Sequence, residues 1–272
     1  MQLFASPTPG APAGLTVPGG TPDNPLAMGG PPFPPVVTLP LSQIRRVSML
    51  NLEHAQRTTA PVTVVAEVDA TGLVAVRESL KPLAERHLGM PLTYLPFFAA
   101  ATVRALKAYP IMNATLTPQG FVIPRYINLG IATAVPGGVL LPVVPGAERM
   151  GFWDLARAIY VQTQKARAGR LTPQELAGQT FVITNTGRWG TTLFGTPIIQ
   201  PPNVGILAFE AIKKRPVVTE DDQLAIRPMM YLALTADHRA VDGAEMIGFL
   251  GKVKDALERV ALCPRPGRLR PG

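Results

Sequence analysis

The chain has 272 residues, of which 47% are hydrophobic and 16% charged, enough for a sizeable core in one large domain or two small ones. A single cysteine excludes an internal disulfide framework and a cysteine-rich metal site. With no secretory signal, no apolar run of membrane-spanning length, and a net charge of +8 without a basic stretch interleaved with aromatics, we expect a cytoplasmic protein with neither membrane nor nucleic-acid partners.

Composition divides the chain into two tails and a body. Residues 1–40 contain 11 of the 30 prolines, six glycines and one charged residue, Asp23. Such a stretch cannot bury a core, so it predicts an extended, partly flexible linker. The last ten residues, "CPRPGRLRPG" at 263–272, predict a disordered tail. The folded body is therefore expected at residues 41–262.

The first half of the body alternates between strand and helix patterns. β-Branched runs predict strands, and apolar residues at helical spacing predict helices. A Pro136-Gly137-Gly138 turn joins two of the strands. The predicted elements are a strand at 61–69, helices at 72–88 (bent at Pro82) and 95–109, and strands at 127–135 and 138–144.

The second half continues the alternation. A short helix is predicted to begin at a capping box, in which Thr172 caps, Pro173 takes the first position and Glu175 completes the box. The predicted elements are helices at 152–167 and 171–176, strands at 180–185, 203–212 and 229–237, and a last helix at 244–262. The fold class is therefore α/β, a mixed sheet covered by helices.

The segment "TADHRAVDGAEM" ends the last predicted strand with Asp237, His238, Arg239 and Asp242. One interpretation is a solvated strand end followed by a turn. The other is a catalytic histidine on a rigid platform, since an imidazole can accept a proton near neutral pH. We expect Asp242 to hold a carboxylate close by through the turn that it begins.

The residues "DHRAVDG" resemble the DHRxxDG motif of the E2 component of 2-oxo acid dehydrogenase complexes, the dihydrolipoamide acyltransferase. The likeness extends from about residue 41 to 260. It includes "IRRVSMLNL", "PVTVVAEVDATGL", "LPFFAAATVRALKAYPIMNATL", "YINLGIATAVPGGVLLPVV" and "LAGQTFVITNTGRWGTTLFGTPIIQPPNVGILAF". Several motifs in the same order identify the chain as a member of this family.

The resemblance implies a chloramphenicol-acetyltransferase-like two-layer fold, a mixed β-sheet flanked by helices and assembled as a trimer with active sites between subunits. It implies transfer of an acyl group from dihydrolipoamide to coenzyme A. His238 would be the general base, and Thr184, where relatives carry serine, would stabilise the oxyanion. Asp242 would fix the loop through a salt bridge. By itself, Thr184 is equally an ordinary β-branched strand residue.

The resemblance also implies the cofactor contacts and the partners. Arg77, Thr93, Thr184 and Asn185 match positions that the family uses for coenzyme A, although Arg77 alone also reads as an exposed helix residue. The lipoyl group would be carried on a separate domain or chain. The expected partners are the lipoyl domain, the E1 and E3 components of the complex, and further copies in a homotrimer or a larger cubic or dodecahedral core.

Two departures from the family pattern keep alternatives open. Ala134 stands where relatives often carry an acidic residue, and the C-terminal end differs from the apolar terminus that links trimers in relatives. No lipoyl domain precedes the linker, so we expect either a truncation or lipoyl domains on another chain. The alternatives are a non-catalytic E2-like structural core and a small-molecule acetyltransferase of the same fold.

Overall fold

The computed structural model describes residue 38 and residues 40–260. The chain divides into two compact units, Met1–Gln43 and Ile44–Gly272, and the second contains all the described strands. Nearly all of the predicted linker and all of the predicted C-terminal tail lie outside the described residues. The unit Ile44–Gly272 is described below by itself.

The described residues contain five α-helices, four of which form where periodicity predicts them; α1 contains the segment "IRRVSMLNL". The capping box at Thr172 and Glu175 is present and begins a 3₁₀-helix instead of an α-helix. Pro82 lies inside the second helix, as expected. The α-helices are α1 Gln43–Thr58, α2 Thr71–Leu88, α3 Leu95–Ala108, α4 Phe152–Arg167 and α5 Gly243–Glu258; 3₁₀-helices span Pro110–Asn113, Ala147–Arg149, Pro173–Leu176 and Thr186–Trp189.

The described strands form one large sheet and two small hairpins. They are β1 Pro61–Asp69, β2 Thr115–Thr117, β3 Gly120–Val122, β4 Leu129–Ile131, β5 Thr133–Val135, β6 Gly138–Leu140, β7 Val143–Val144, β8 Phe181–Asn185, β9 Gly205–Phe209, β10 Lys213–Val218 and β11 Leu224–Asp237. The large sheet has the order β1-β11-β9-β8-β4-β7, with β10 paired to β11. Pairs β4–β8 and β8–β9 are parallel and the others antiparallel, so the predicted mixed sheet is confirmed.

Helices cover one face of the sheet, here called the inner face. The ring of Phe98 from α3 stacks on Phe209 of β9 at 4.2 Å between centroids, and Phe249 from α5 packs on Phe181 of β8 at 5.6 Å. All four rings are almost completely buried, and each such burial contributes about 2 kcal/mol or more. These contacts hold the central strands rigidly from one side.

The opposite, outer face is covered by the segment that follows β8. Ile199 of this segment packs against Val182 and Ile206, which lie side by side on neighbouring strands. Further along this face, Thr63 of β1 and Thr235 of β11 share a hydrogen bond of 2.7 Å. The sheet therefore separates a deeply buried helical side from a side covered by irregular chain.

Two differences from the predicted strands have physical reasons. Each of the long strands around Gly137 is split, because β5 and β6 form a separate hairpin while β4 and β7 remain in the large sheet. The hairpin partner β10 and the first half of β11 were not predicted. β10 begins "KKRP", and Pro216 cannot donate to a ladder, which is tolerated because β10 is an edge strand.

Candidate active site

His238 stands at the corner between the last strand and the last helix. Its backbone N–H donates to the carbonyl of Ala60 at 2.9 Å, which extends the pairing of β1 and β11 by one residue. The turn that follows is closed by the amides of Ala240 and Val241, which donate to the Asp237 carbonyl at 2.8 and 3.1 Å. The imidazole is exposed, so a rigid backbone presents a free side chain to the surroundings.

The carboxylate that holds this corner belongs to Asp237, the residue before the histidine. It is buried and accepts hydrogen bonds from the amides of Ala60 and Arg239, each at 3.1 Å. The guanidinium of Arg239 lies 2.6 Å from the same carboxylate and also donates to the carbonyl of Thr58. Burial raises the pKa of Asp237, but the hydrogen bonds from Arg239 and Ala60 outweigh it and bring the pKa below its ordinary value.

The side chain of Asp242 caps the last helix. The salt bridge that the resemblance implies stays a prediction, and within the described residues the carboxylate is the N-cap of α5. Its carboxylate accepts from the amide of Glu245 at 2.9 Å, and Glu245 accepts from the amide of Asp242 at 3.1 Å. The ion pair of the motif is formed by Asp237 and Arg239, because the buried carboxylate needs the guanidinium while the exposed Asp242 is satisfied by backbone donors.

The buried ion pair predicts a pH-dependent stability. A folded-state pKa below 3.8 means that the Asp237 carboxylate stabilises the fold fully above about pH 4 and loses that effect as the pH falls toward the folded pKa. We expect Asp237→Asn to lower the free energy of unfolding by about 2 kcal/mol at pH 7 and to reduce the acid dependence.

Urea unfolding at pH 7 and at pH 3 would measure both effects. The matched control is Asp255→Asn, which removes an exposed carboxylate from the surface of α5 and should leave the free energy within about 0.5 kcal/mol. Equal stability of Asp237→Asn and the unmodified chain at pH 7 would contradict the anchoring role.

Thr184 lies at the opposite edge of the large sheet from His238. In register, Thr184 of β8 is opposite Ala208 of β9, and Ala208 is opposite Ala233 of β11. His238 is five residues further along, so the two Cα atoms are separated by about 16 Å along the strands and about 10 Å across them. Two side chains that hydrogen-bond one reacting thioester need Cα atoms within roughly 13 Å. One copy of the chain therefore cannot bring them together.

The predicted coenzyme A contacts come from three parts of the chain: α2, the residues just before α3, and the end of β8. Arg77 of α2 donates to the carbonyl of Leu92 at 2.9 Å, beside the exposed Thr93, and its guanidinium lies 4.6 Å from the centre of the Tyr94 ring. Tyr94 stacks on Phe98, which stacks on Phe209. Phe209 is the register partner of Asn185, the neighbour of Thr184. The aromatic row therefore runs from Arg77 to Phe209, the strand neighbour of Asn185, whereas Thr184 lies on the outer face of the sheet.

Other kinds of site find no support in the described part of the chain. Within residues 38 and 40–260, no three histidine, cysteine, aspartate or glutamate side chains are grouped as they would be around a metal ion. Over the same residues, no helix combines the length and apolar character needed to cross a membrane. His54 and His87 are exposed on α1 and α2.

Solved structures with this fold are acyltransferase catalytic cores. A probable dihydrolipoamide acetyltransferase from Listeria monocytogenes 4b F2365 has a TM-score of 0.80 at 32% identity, covering 84% of this chain and 96% of that one. The cubic core of a pyruvate dehydrogenase multienzyme complex has a TM-score of 0.79 at 30% identity, covering 86% and 100%. A dihydrolipoamide acetyltransferase (E2p) from Azotobacter vinelandii gives the same values. The fold class is thus that of an E2 acyltransferase core.

Sequence comparison defines the family. The family model of the 2-oxoacid dehydrogenases acyltransferase catalytic domain matches residues 34–263. The succinyltransferase component of the 2-oxoglutarate dehydrogenase complex from Rickettsia bellii (strain RML369-C) is 39% identical over 218 residues, which are 80% of this chain and 54% of that protein. The chain belongs to the 2-oxoacid dehydrogenase acyltransferase family, and it spans about half the length of the curated relatives it matches.

Proposed function

We propose that the chain transfers an acyl group from a dihydrolipoamide thioester to coenzyme A, at a site shared between two copies. The observation that carries the proposal is the position of His238, exposed and yet anchored by Ala60 and by the turn at Asp237. The Azotobacter structure addresses the roles of a serine, a histidine and an asparagine in the catalytic mechanism of that enzyme. Its histidine and asparagine are four positions apart, as His238 and Asp242 are here.

The chemistry needs a base, an electrophile and an oxyanion partner. A ring nitrogen of His238 removes the proton from the coenzyme A thiol, because only the thiolate is an effective nucleophile. The thiolate attacks the thioester carbon, and the hydroxyl of Thr184 donates a hydrogen bond to the resulting oxyanion. The bond from carbon to the dihydrolipoamide sulfur then breaks, and the departing sulfur takes the proton back from His238. Acyl-coenzyme A and dihydrolipoamide leave, and the site is regenerated.

The register distances support a shared site and hence an oligomer. His238 and Thr184 lie too far apart within one copy, so His238 of one copy would have to meet Thr184 of the next. Large apolar side chains stand exposed on α1 and on the segment after β8, as expected of surfaces that pack on another subunit. They include Met49, Leu50, Trp189, Leu193 and Phe194, each at least half exposed. We assign these surfaces to a homotrimer, in which every copy gives one residue to a neighbour and receives the other.

Coenzyme A would bind along the aromatic row that ends beside Asn185. Arg77 keeps a guanidinium at the other end of this row, one-fifth exposed and fixed by the carbonyl of Leu92. A fixed guanidinium suits the phosphates of a nucleotide cofactor. Thr93 next to it is exposed and provides a hydroxyl. The dihydrolipoamide thioester would reach the site from the other side, on a lipoyl domain, in a complex with E1 and E3 components and in a core that is trimeric or larger.

Acyl transfer from defined thioesters tests the proposal. The chain would be given acetyl-, isobutyryl- or succinyl-dihydrolipoamide with coenzyme A, and acyl-coenzyme A formation would be followed. We expect turnover with at least one donor, and the preferred donor identifies the complex. An oligomer that is inactive with all three would indicate a non-catalytic core. Transfer from acetyl-coenzyme A to a small amine or alcohol, without turnover of the thioesters, would indicate a small-molecule acetyltransferase.

A further inference from the structure

A buried carboxylate lies next to the proposed oxyanion residue and has no part in the chemistry above. Glu210 follows β9 inside the apolar run "GILAFEAI" and is only 2% exposed. In β9, residues 206 and 208 face the outer side of the sheet, where Thr184 also lies opposite Ala208. By strand alternation Glu210 continues on that side, as a diagonal neighbour of Thr184.

Glu210 binds the segment that begins two residues after Thr184. One carboxylate oxygen accepts hydrogen bonds from the hydroxyls of Thr186 and Thr192, the second of them at 3.3 Å. The other oxygen accepts from the amide of Gly195 at 3.1 Å. A single side chain therefore holds both ends of the segment 186–195, which is called the clamp segment below.

The backbone of the clamp segment also fits closely against Glu210. A Cβ atom on Gly187 would lie 2.2 Å from the carbonyl carbon of Glu210 and 2.4 Å from the amide nitrogen of Ala211. The neighbouring atoms are backbone and cannot move aside, so the position requires glycine. The backbone at 186–187 thus packs directly against residues 210–211, so a movement of one segment would displace the other.

Every hydrogen-bond partner of this carboxylate in the described part of the chain is a neutral donor, and no lysine or arginine pairs with it there. A buried carboxylate without a cation is costly unless its oxygens are fully used by donors. Such a group is a poor choice for stability alone, because an apolar residue would fill the same space at lower cost. What the Glu210 carboxylate does provide is positioning, because it holds three hydrogen-bond donors of the clamp segment at fixed places relative to β9.

We propose that Glu210 is a positioning residue for the acyl-transfer site, an inference that rests on the proposed function. By holding the clamp segment on β9 it fixes the end of β8 and with it the hydroxyl of Thr184. Glu210 does not touch the reacting atoms. It acts through Thr186, which begins the 3₁₀-helix two residues after Thr184.

Four variants separate this role from general stability. Glu210→Met keeps the length and approximate volume of the side chain but removes both acceptor oxygens, so all three bonds are lost. Thr186→Val keeps the shape of threonine and removes its hydroxyl, while Thr186→Ser keeps the hydroxyl and serves as the rescue variant. Glu220→Gln removes an exposed carboxylate in a surface turn and is the matched control.

Amide hydrogen exchange and steady-state kinetics would be measured on the assembled protein. We expect Glu210→Met and Thr186→Val to accelerate exchange in residues 186–195 about tenfold and to lower kcat about tenfold, with the KM for coenzyme A changed less than twofold. The double variant should be no worse than the poorer single one, because both remove the same bond. Thr186→Ser and Glu220→Gln should behave like the unmodified chain.

The two proposals fail in different ways. Unchanged exchange in 186–195 after Glu210→Met would overturn the positioning role, and so would faster exchange with unaltered kcat, which would leave Glu210 purely structural. Additive losses in the double variant would overturn the claim that Glu210 acts through Thr186. An unmodified chain that turns over none of the thioesters would instead overturn the proposed function, and the exchange measurement would still decide whether Glu210 holds the clamp segment.

Discussion

Replacing His238 with alanine should reduce acyl transfer to coenzyme A by about 1,000-fold without unfolding the chain. General-base catalysis typically contributes between about 100-fold and 10,000-fold, and a coenzyme A thiol is mostly protonated at neutral pH. The side chain is exposed, and the corner is held by the backbone of residue 238 and by Asp237, which the substitution leaves in place. The oligomer and the unfolding midpoint should therefore be unaltered.

Initial rates at saturating thioester, together with sedimentation and urea unfolding, would measure this result. His87→Ala is the matched control, since it removes an exposed imidazole from α2. It should retain the rate of the unmodified chain. A rate for His238→Ala within tenfold of the unmodified chain would refute the role of general base, whereas a lost oligomer would show that the corner itself contributes to assembly.

Much of the fold follows from local pattern. The run of β-branched residues at 61–69 and the stripe of Met246, Leu250, Val253 and Leu257 each have one period and one buried face, so strand and helix follow directly. β10 could not be found this way, because lysines, an arginine and Pro216 conceal an edge strand whose pairing depends on the distant β11. The strand forms because it pairs with β11, and no short stretch of sequence shows this pairing.

The sequence predicted which residues form the candidate site, but it did not predict which of them contact each other. The order Asp237, His238, Arg239 shows a charged cluster at a strand end, but four titratable side chains allow several pairings. Burial decides among them. The carboxylate of Asp237 is buried and pairs with the guanidinium of Arg239, whereas the exposed Asp242 caps α5. Glu210 had a visible signal, a lone acid in an apolar run, but its partners are 15 to 24 residues away in a segment of irregular backbone.

A site shared between copies predicts that two inactive variants will complement each other. Thr184→Val removes the hydroxyl donor with little change of shape and should lower kcat by about 100-fold or more, while Thr184→Ser should stay close to the unmodified chain. Each site would take His238 from one copy and Thr184 from the next, so the two substitutions remove residues that different copies contribute. When both variants assemble in one trimer, one of its three interfaces pairs an intact His238 with an intact Thr184.

The yield of restored activity follows from counting the arrangements. Random assembly from equal amounts of the two chains leaves about three-quarters of the trimers mixed, and each mixed trimer has one intact site of three. The unselected mixture should therefore recover about one-quarter of the unmodified rate, and the mixed trimers isolated by tandem purification about one-third. Co-expression of differently tagged variants, tandem purification and rate measurement would test this. The double variant His238→Ala with Thr184→Val, co-expressed with Thr184→Val, should remain inactive because no intact threonine is present. Failure of the first mixture to recover activity would place both residues of each site in one copy, against the separation of roughly 19 Å that the strand register imposes.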